Sequence, residues 1–179
     1  MRHVTVLPYN PEWSNMFEAE AAVIQQALGP AVTAVHHIGS TAVPMLPAKP
    51  IIDIMPVVRE LDAVDEREQA MVAAGYVCHG EYFIPGRRFY TKEVEGERRF
   101  HVHVFKEGTK DVERHLAFRD YLRTHERPRR TYGGLKQSLA WEYPFNVSAY
   151  ASGKHEYVKE LEDRALRWYK NQQTKEELS

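Results

Sequence analysis

The segment Ile51–Val58, IIDIMPVV, limits the fold more than any other stretch of this chain. A nearly continuous apolar run of strand length is buried on both faces, so it needs packed layers around it. Asp53 is the one charged residue in the run. A carboxylate inside an apolar strand requires a polar partner or a cation, because an isolated buried charge is very costly. A chain of 179 residues supplies enough apolar surface for such a core without a disulfide or a structural metal. The charges nearly cancel, with Lys+Arg 24 against Asp+Glu 25, which gives no support to broad electrostatic binding of nucleic acid or of an acidic membrane. Cys78 stands alone, which excludes an internal disulfide framework and a cysteine-rich zinc module. No apolar run is long enough to span a bilayer and no cleavable apolar signal opens the chain, so a cytoplasmic setting is expected.

Around that strand the pattern reads as follows. Residues 3–7 alternate like a short strand. A helix follows, with Asn10 as cap, Pro11 at its first position and an apolar stripe through Trp13, Met16, Phe17, Ile24, Ala27 and Leu28; Gly29-Pro30 ends it. Val32–Ile38 is β-branched and reads as a strand. Pro44, Pro47 and Pro50 recur every third residue, which predicts a stiff polyproline-like loop. A helix over 60–74 precedes strands at 76–84, 87–94 and 98–105, joined by turns at Pro85-Gly86 and Glu95-Gly96 as an antiparallel meander. Helices over 110–126, 130–143 and 151–170 follow, punctuated by Pro128, Pro144 and Gly153. The fold class is α+β: residues 1–170 form one domain, with an α/β core over 1–108 and a helical part over 109–170, and 171–179 is a polar, frayed tail.

The stretch from His36 to Ile54 carries the chemistry. Gly39 has no Cβ, so an anion can approach the backbone closely there. The N–H groups and hydroxyls of Ser40 and Thr41 could form an anion-binding concavity. Lys49 could add a positive charge, and Asp53 could hold a divalent metal. The structural alternative is an ordinary Gly-Ser-Thr turn beside a solvated lysine.

In Arg98–Phe105, RRFHVHVF, residues two apart share a strand face, so His101 and His103 point the same way while Val102 and Val104 fill the other side. Two imidazoles on one face can chelate a metal, contact phosphate or move protons; equally, they can line the wet side of a half-exposed sheet. Arg87 and Arg88 read as a phosphate clamp or a solvated hairpin end. Arg123, Arg127, Arg129 and Arg130 form a short basic patch at an exposed helix junction. His37 either lines the Gly39 pocket or is a satisfied strand-end histidine. Cys78 reads as a small apolar group rather than a nucleophile.

The chain resembles the GrpB family. The resemblance begins at Tyr9-Asn10-Pro11-Glu12-Trp13 and runs through His37-Ile38-Gly39-Ser40-Thr41-Ala42-Val43-Pro44, then Ala48-Lys49-Pro50-Ile51-Ile52-Asp53-Ile54. It continues through Arg88-Phe89-Tyr90, His101-Val102-His103-Val104 and Phe118-Arg119-Asp120-Tyr121-Leu122-Arg123. It ends with Tyr132 and Leu135-Lys136, then Tyr150 and Lys154, and covers about 5–160. Met45 departs from the pattern, which has glycine there. The family is similar to the polymerase-beta-like nucleotidyltransferases, and this implies a small mixed sheet with packed helices and a helical C-terminal region. It also implies that Gly39-Ser40 stands where triphosphate binds and Asp53 on the metal-binding strand. Active members of that superfamily carry a second acid two residues along the strand. Here those positions are Ile51 and Met55, so a further ligand has to come from His101, His103, Glu81 or Glu93.

The resemblance therefore implies a nucleotide-binding, metal-binding transferase that moves a nucleotidyl group from a nucleoside triphosphate to an unknown acceptor. In that reading Ser40, Thr41, Lys49, Arg88, Lys136 and Lys154 bind phosphate or nucleotide. Asp53, His101 and His103 hold a divalent metal (Mg, Mn or Zn) and act in catalysis. Two alternatives stay open: an inactive nucleotide- or phosphometabolite-binding module on the same scaffold, and a metal-dependent phosphate-ester hydrolase. Partners would be a nucleotide or phosphorylated small molecule, with no membrane and no broad nucleic-acid binding. The Gly39 bend, Asp53 and the imidazole pair are expected to open onto one hollow.

Overall fold

The computed structural model describes residues 3–177; the last two residues of the expected polar tail, 178–179, lie outside them. The chain divides into two compact units, one comprising Pro11–Ile38 and Ile51–Val112, the other Met1–Asn10, Gly39–Pro50 and Glu113–Ser179.

The first unit is a sheet with helices. Helix α1 spans Glu12–Leu28 and strand β1 spans Val32–Ile38, linked by a 3-10 turn at Gly29–Ala31. Strand β2 spans Ile52–Val58; α2 (Asp62–Asp65) and α3 (Glu68–Ala73) follow; then β3 (Val77–Cys78), β4 (Arg87–Val94) and β5 (Glu97–Lys106). The strands lie in the order β1-β2-β5-β4-β3. All neighbours are antiparallel except β2 and β5, which run parallel. Asp53 is in register with Ile38 on one side and His101 on the other. The β2–β5 register pairs Ile52–Ile54 and Val57–Val58, on either side of Pro56, which has no N–H to give.

One face of this sheet is dry. Ile52, Ile54, Tyr90, Val102 and Val104 are buried there, and α1 packs against it through Phe17 and Ile24. Glu20 sits in the same stripe of α1 and is buried. Its carboxylate accepts from the Tyr76 hydroxyl at 2.7 Å and the Lys92 ammonium at 2.5 Å, which satisfies the charge. His37 stacks on Phe17 with ring centroids 4.8 Å apart and is buried, so it has a packing role in the strand.

The second unit is mostly helical, with α4 (Lys110–Thr124, whose start belongs to the first unit), α5 (Glu126–Glu142) and α6 (Val147–Glu177). Apolar clusters among its described residues hold it together. Val43, Leu46, Leu122, Tyr132 and Leu161 form one; Val4, Leu139 and Tyr150 form another.

Several local expectations change. Residues 3–7 make one isolated bridge, Leu7 to Ala48, rather than a strand. The helix expected over 60–74 is two short pieces. Strand 76–84 shortens to Val77–Cys78, because Gly80, Tyr82 and Phe83 take positive φ and turn the chain. The proline loop is not a continuous polyproline stretch: Ser40–Ala42 is a 3-10 turn and Met45 takes φ 67°. Pro128 lies in the first turn of α5, where its missing N–H forfeits no helical bond. α6 begins under an Asn146 cap, whose side chain accepts from the Ala149 N–H at 3.0 Å. It continues to Glu177, so residues 171–177 of the polar segment are helical rather than frayed.

Candidate metal centre and anion-binding residues

The face of the sheet opposite α1 carries the candidate metal centre. The register brings Asp53 of β2 beside His101 of β5, and the two-residue repeat of a strand puts His103 on the same face. Asp53 Oδ1 lies 3.1 Å from His103 Nε2 and 3.4 Å from His101 Nδ1. One ligand atom from each of the three residues falls within 4.8 Å of the others, as a shared cation would require. Burial pushes the Asp53 carboxyl up, but hydrogen bonds and charge from His101 and His103 outweigh it and hold the group well below its usual range. Burial pushes His103 down, against the opposing pull of Asp53.

Arg87 completes this cluster. It is buried, and its Nη1 lies 3.3 Å from His103 Nδ1. A guanidinium only donates, so Nδ1 accepts and the ring proton sits on Nε2, directed at Asp53. The same guanidinium donates to the carbonyls of Glu81 and Tyr82. The arginine thus ties the 81–86 loop to the histidine; the Arg87-Arg88 doublet marked it in the sequence, but not that role.

The donor set fits a divalent ion. One carboxylate oxygen and two imidazole nitrogens suit zinc or manganese better than magnesium, which favours oxygen ligands. A cation at His103 Nε2 would displace the proton there to Nδ1, where it would meet Arg87, so loading requires the guanidinium to give way. The other ligands considered from the sequence lie elsewhere. Glu81 accepts from the Gly86 N–H at 2.8 Å, and Glu93 pairs with Arg98 at 3.4 Å.

Gly39, Ser40, Thr41, Lys49, Lys136 and Lys154 lie in the second unit. Gly39 has φ 71° and leads into the 3-10 turn, where Ser40 is partly exposed and Thr41 is buried. Lys136 on α5 is only 2% exposed; its ammonium donates to Ser40 Oγ at 2.8 Å and lies 4.5 Å from the Tyr132 ring centroid. Burial, helped by the charge of Lys154, lowers its pKa to about 7. Tyr150 is helical and buried, with the Lys49 ammonium 4.3 Å and the Lys154 ammonium 5.5 Å from its ring centroid. Lys49, Lys154 and Lys136 thus surround two aromatic rings rather than standing out in solvent.

Arg88 is committed elsewhere. It makes a two-pronged pair with Asp65, at 2.6 and 2.7 Å, in the sheet unit. The basic patch is in part a set of helix caps: Arg123 donates to the Ala42 carbonyl at 2.8 Å, and Arg129 to the carbonyls of Leu122 and Arg123 at 3.1 Å. Burial raises the Cys78 thiol, as fits an unreactive side chain.

Comparison with known proteins adds family and fold. The family described as GrpB protein matches residues 3–164. The UPF0157 protein YqkA of Bacillus subtilis is 41% identical over 169 residues, covering 94% of this chain and 49% of the relative. The chain therefore spans about half the length of that protein. The crystal structure of GrpB from Enterococcus faecalis superposes with a TM-score of 0.88 at 39% identity, over 92% of this chain and 99% of that one. Cid1 in complex with its short product ApU superposes with a TM-score of 0.53 at 10% identity, over 83% of this chain and 48% of that one. At that identity the likeness concerns fold alone, and the fold is nucleotidyltransferase-like. No helix among the described residues is long and apolar enough to cross a membrane.

Proposed function

Given that the chain belongs to the GrpB family, we propose that it is a metal-dependent nucleotidyltransferase acting on a nucleoside triphosphate and an acceptor hydroxyl. The observation that carries this reading is the convergence of Asp53, His101 and His103 on adjacent strands of a nucleotidyltransferase-like sheet. These three residues would hold the divalent ion, which when bound would neutralise charge on the phosphoryl oxygens. Within the helical unit, Ser40 would donate a hydrogen bond to the oxygen of a bound phosphate group, and Lys136, Lys49 and Lys154 would balance its negative charge. Gly39 would let the anion approach the backbone. An imidazole of the pair, His101 or His103, that does not ligate the ion could instead take the proton of the acceptor hydroxyl. The nucleotide, or another phosphorylated small molecule, is the proposed partner, in a cytoplasmic setting.

One observation favours a second reading, a nucleotide-binding module without turnover. The residues two away from Asp53 are Ile51 and Met55, so β2 offers a single carboxylate where two metals would need more oxygen ligands. The same donor set with zinc would also suit a phosphate-ester hydrolase.

Calorimetry and product analysis with ATP and UTP, each with and without manganese, separate these readings. A transferase consumes the nucleotide and releases pyrophosphate, and Asp53→Asn abolishes this while the protein stays folded. Binding without consumption supports the module, and release of inorganic phosphate from a simple ester with zinc supports the hydrolase. Undiminished pyrophosphate release by a folded Asp53→Asn protein would remove Asp53 from the mechanism.

A further inference from the structure

The 79–86 loop of the sheet unit ends in an unusual pair of rings. Phe83 is 93% exposed and Tyr82 52% exposed. Both take positive φ, 67° and 45°, although neither is glycine. Each such residue costs roughly 1–2 kcal/mol. Strain of this kind persists only where the surroundings enforce it, and it clusters at ligand sites. Here the enforcement is visible. Arg87 donates to the carbonyls of Glu81 and Tyr82, the Gly86 N–H donates to the Glu81 carboxylate at 2.8 Å, and the Ile84 N–H donates to the Glu81 carbonyl at 3.2 Å. The loop is therefore pre-organised to hold an apolar ring out in water.

A row of rings leads from that ring to the candidate metal centre. Phe83 and Tyr82 have centroids 5.1 Å apart; Tyr82 stacks on Phe89 at 5.1 Å and 22°. Phe89 in turn lies 5.1 Å from His103 and 5.5 Å from His101. Arg87 connects the two ends, because the guanidinium that fixes the Tyr82 carbonyl also contacts His103. His79, hydrogen-bonded to Thr91 at 2.8 Å, stands beside Tyr82 at 5.6 Å. These polar groups are bonded within the protein, so what this part of the loop offers a ligand is an exposed ring face, which suits a flat aromatic ring better than an aliphatic chain.

We propose that Phe83 and Tyr82 form a stacking platform for the nucleobase of the acceptor, an assignment that rests on the transferase reading and supplies the acceptor class it leaves unnamed. Stacking on an uncharged ring accepts any base, because every base has a π-face, and its loss on alanine substitution costs about 1–3 kcal/mol, or roughly 5- to 150-fold in affinity. The Phe83 side chain has almost no contact with the body of the protein, so its removal leaves the fold intact.

The test is calorimetric titration of adenosine and of uridine into the wild type, Phe83→Ala and Phe83→Trp, with ribose as a ring-free control and the melting temperature of each variant as a check on folding. Expected are binding of both nucleosides but not ribose, at least fivefold weaker binding to Phe83→Ala, and retention by Phe83→Trp. Equal affinity in wild type and Phe83→Ala, or no nucleoside binding to the wild type at millimolar concentration, overturns the platform. A separate titration of the wild type with pyrophosphate and manganese reads the transferase proposal by itself. Failure there with nucleoside binding intact would refute the reaction and keep the platform as a nucleoside site; the reverse pattern would remove the platform alone.

Discussion

Lys136 Nζ lies 2.8 Å from Ser40 Oγ at the end of a side chain that is 2% exposed, and burial, with the charge of Lys154 added, brings its pKa down to about 7. An unfolded lysine keeps its proton up to about pH 10.4. Between pH 7 and that value the unfolded chain binds more protons than the folded one, so stability rises with pH across this window; below pH 7 the full cost of burying the charge remains. Lys136→Met should remove the slope. We expect the variant to exceed the wild type by about 2–4 kcal/mol at pH 6, with the difference shrinking towards pH 10. Urea unfolding at pH 6, 8 and 10 measures this, and parallel curves for the two proteins would contradict it.

The imidazole pair dictates a metal preference. With two nitrogen donors and one carboxylate, zinc and manganese should raise the melting temperature while magnesium at the same concentration does little. An ion at a hundred times its dissociation constant adds about 2.7 kcal/mol, or roughly 5–10 °C for a chain of this size. Asp53→Asn and His103→Ala should each lose the zinc shift, and excess chelator should reverse it in the wild type. A magnesium shift as large as that of zinc would show that the three side chains are not acting together as ligands.

The candidate metal centre was half legible in the sequence, and for local reasons. A single carboxylate in an apolar strand and two histidines at i and i+2 both follow from strand periodicity. What joins them is the parallel pairing of β2 with β5, a contact between distant segments that alternation does not encode. The Ser40–Lys136 bond spans 96 positions and was equally out of reach, although the resemblance singled out both residues. Arg123 looked like solvated charge because a side chain that seeks a backbone carbonyl leaves no pattern. Glu20 did leave one: an acid within the apolar stripe of Trp13, Phe17 and Ile24 signals a buried partner, here Tyr76 and Lys92. Pro128 misled because proline marks a helix's first turn as readily as its end.

Met45 takes φ 67° in a turn where the residue is 67% exposed. A left-handed residue with a Cβ costs roughly 1–2 kcal/mol, whereas glycine there loses only part of that back to the freedom of the unfolded chain. Met45→Gly should therefore stabilise the protein by about 0.5–1 kcal/mol, since little packing is forfeited. Paired denaturant curves with equal slopes would read the gain; an unchanged or lower midpoint would refute the strain.

Adjacent glycines on α5 should respond in opposite directions to the same substitution. A Cβ on Gly134 meets nothing within 4 Å, and the position is exposed. Gly134→Ala should gain the intrinsic helix preference for alanine, about 1 kcal/mol. A Cβ on Gly133 would come within 2.9 Å of Pro47 Cδ and 3.4 Å of its Cγ, in a ring that cannot rotate away. Gly133→Ala therefore has to move the helix or the proline loop, and overpacking of this kind costs about 1–3 kcal/mol. Because the same loop carries Ser40, which Lys136 one turn further along α5 contacts, the Gly133 variant should also lose pyrophosphate affinity while Gly134→Ala keeps it. Thermal melts and pyrophosphate titrations of the two single variants check this, and equal melting temperatures would show that the loop yields freely to the added methyl group.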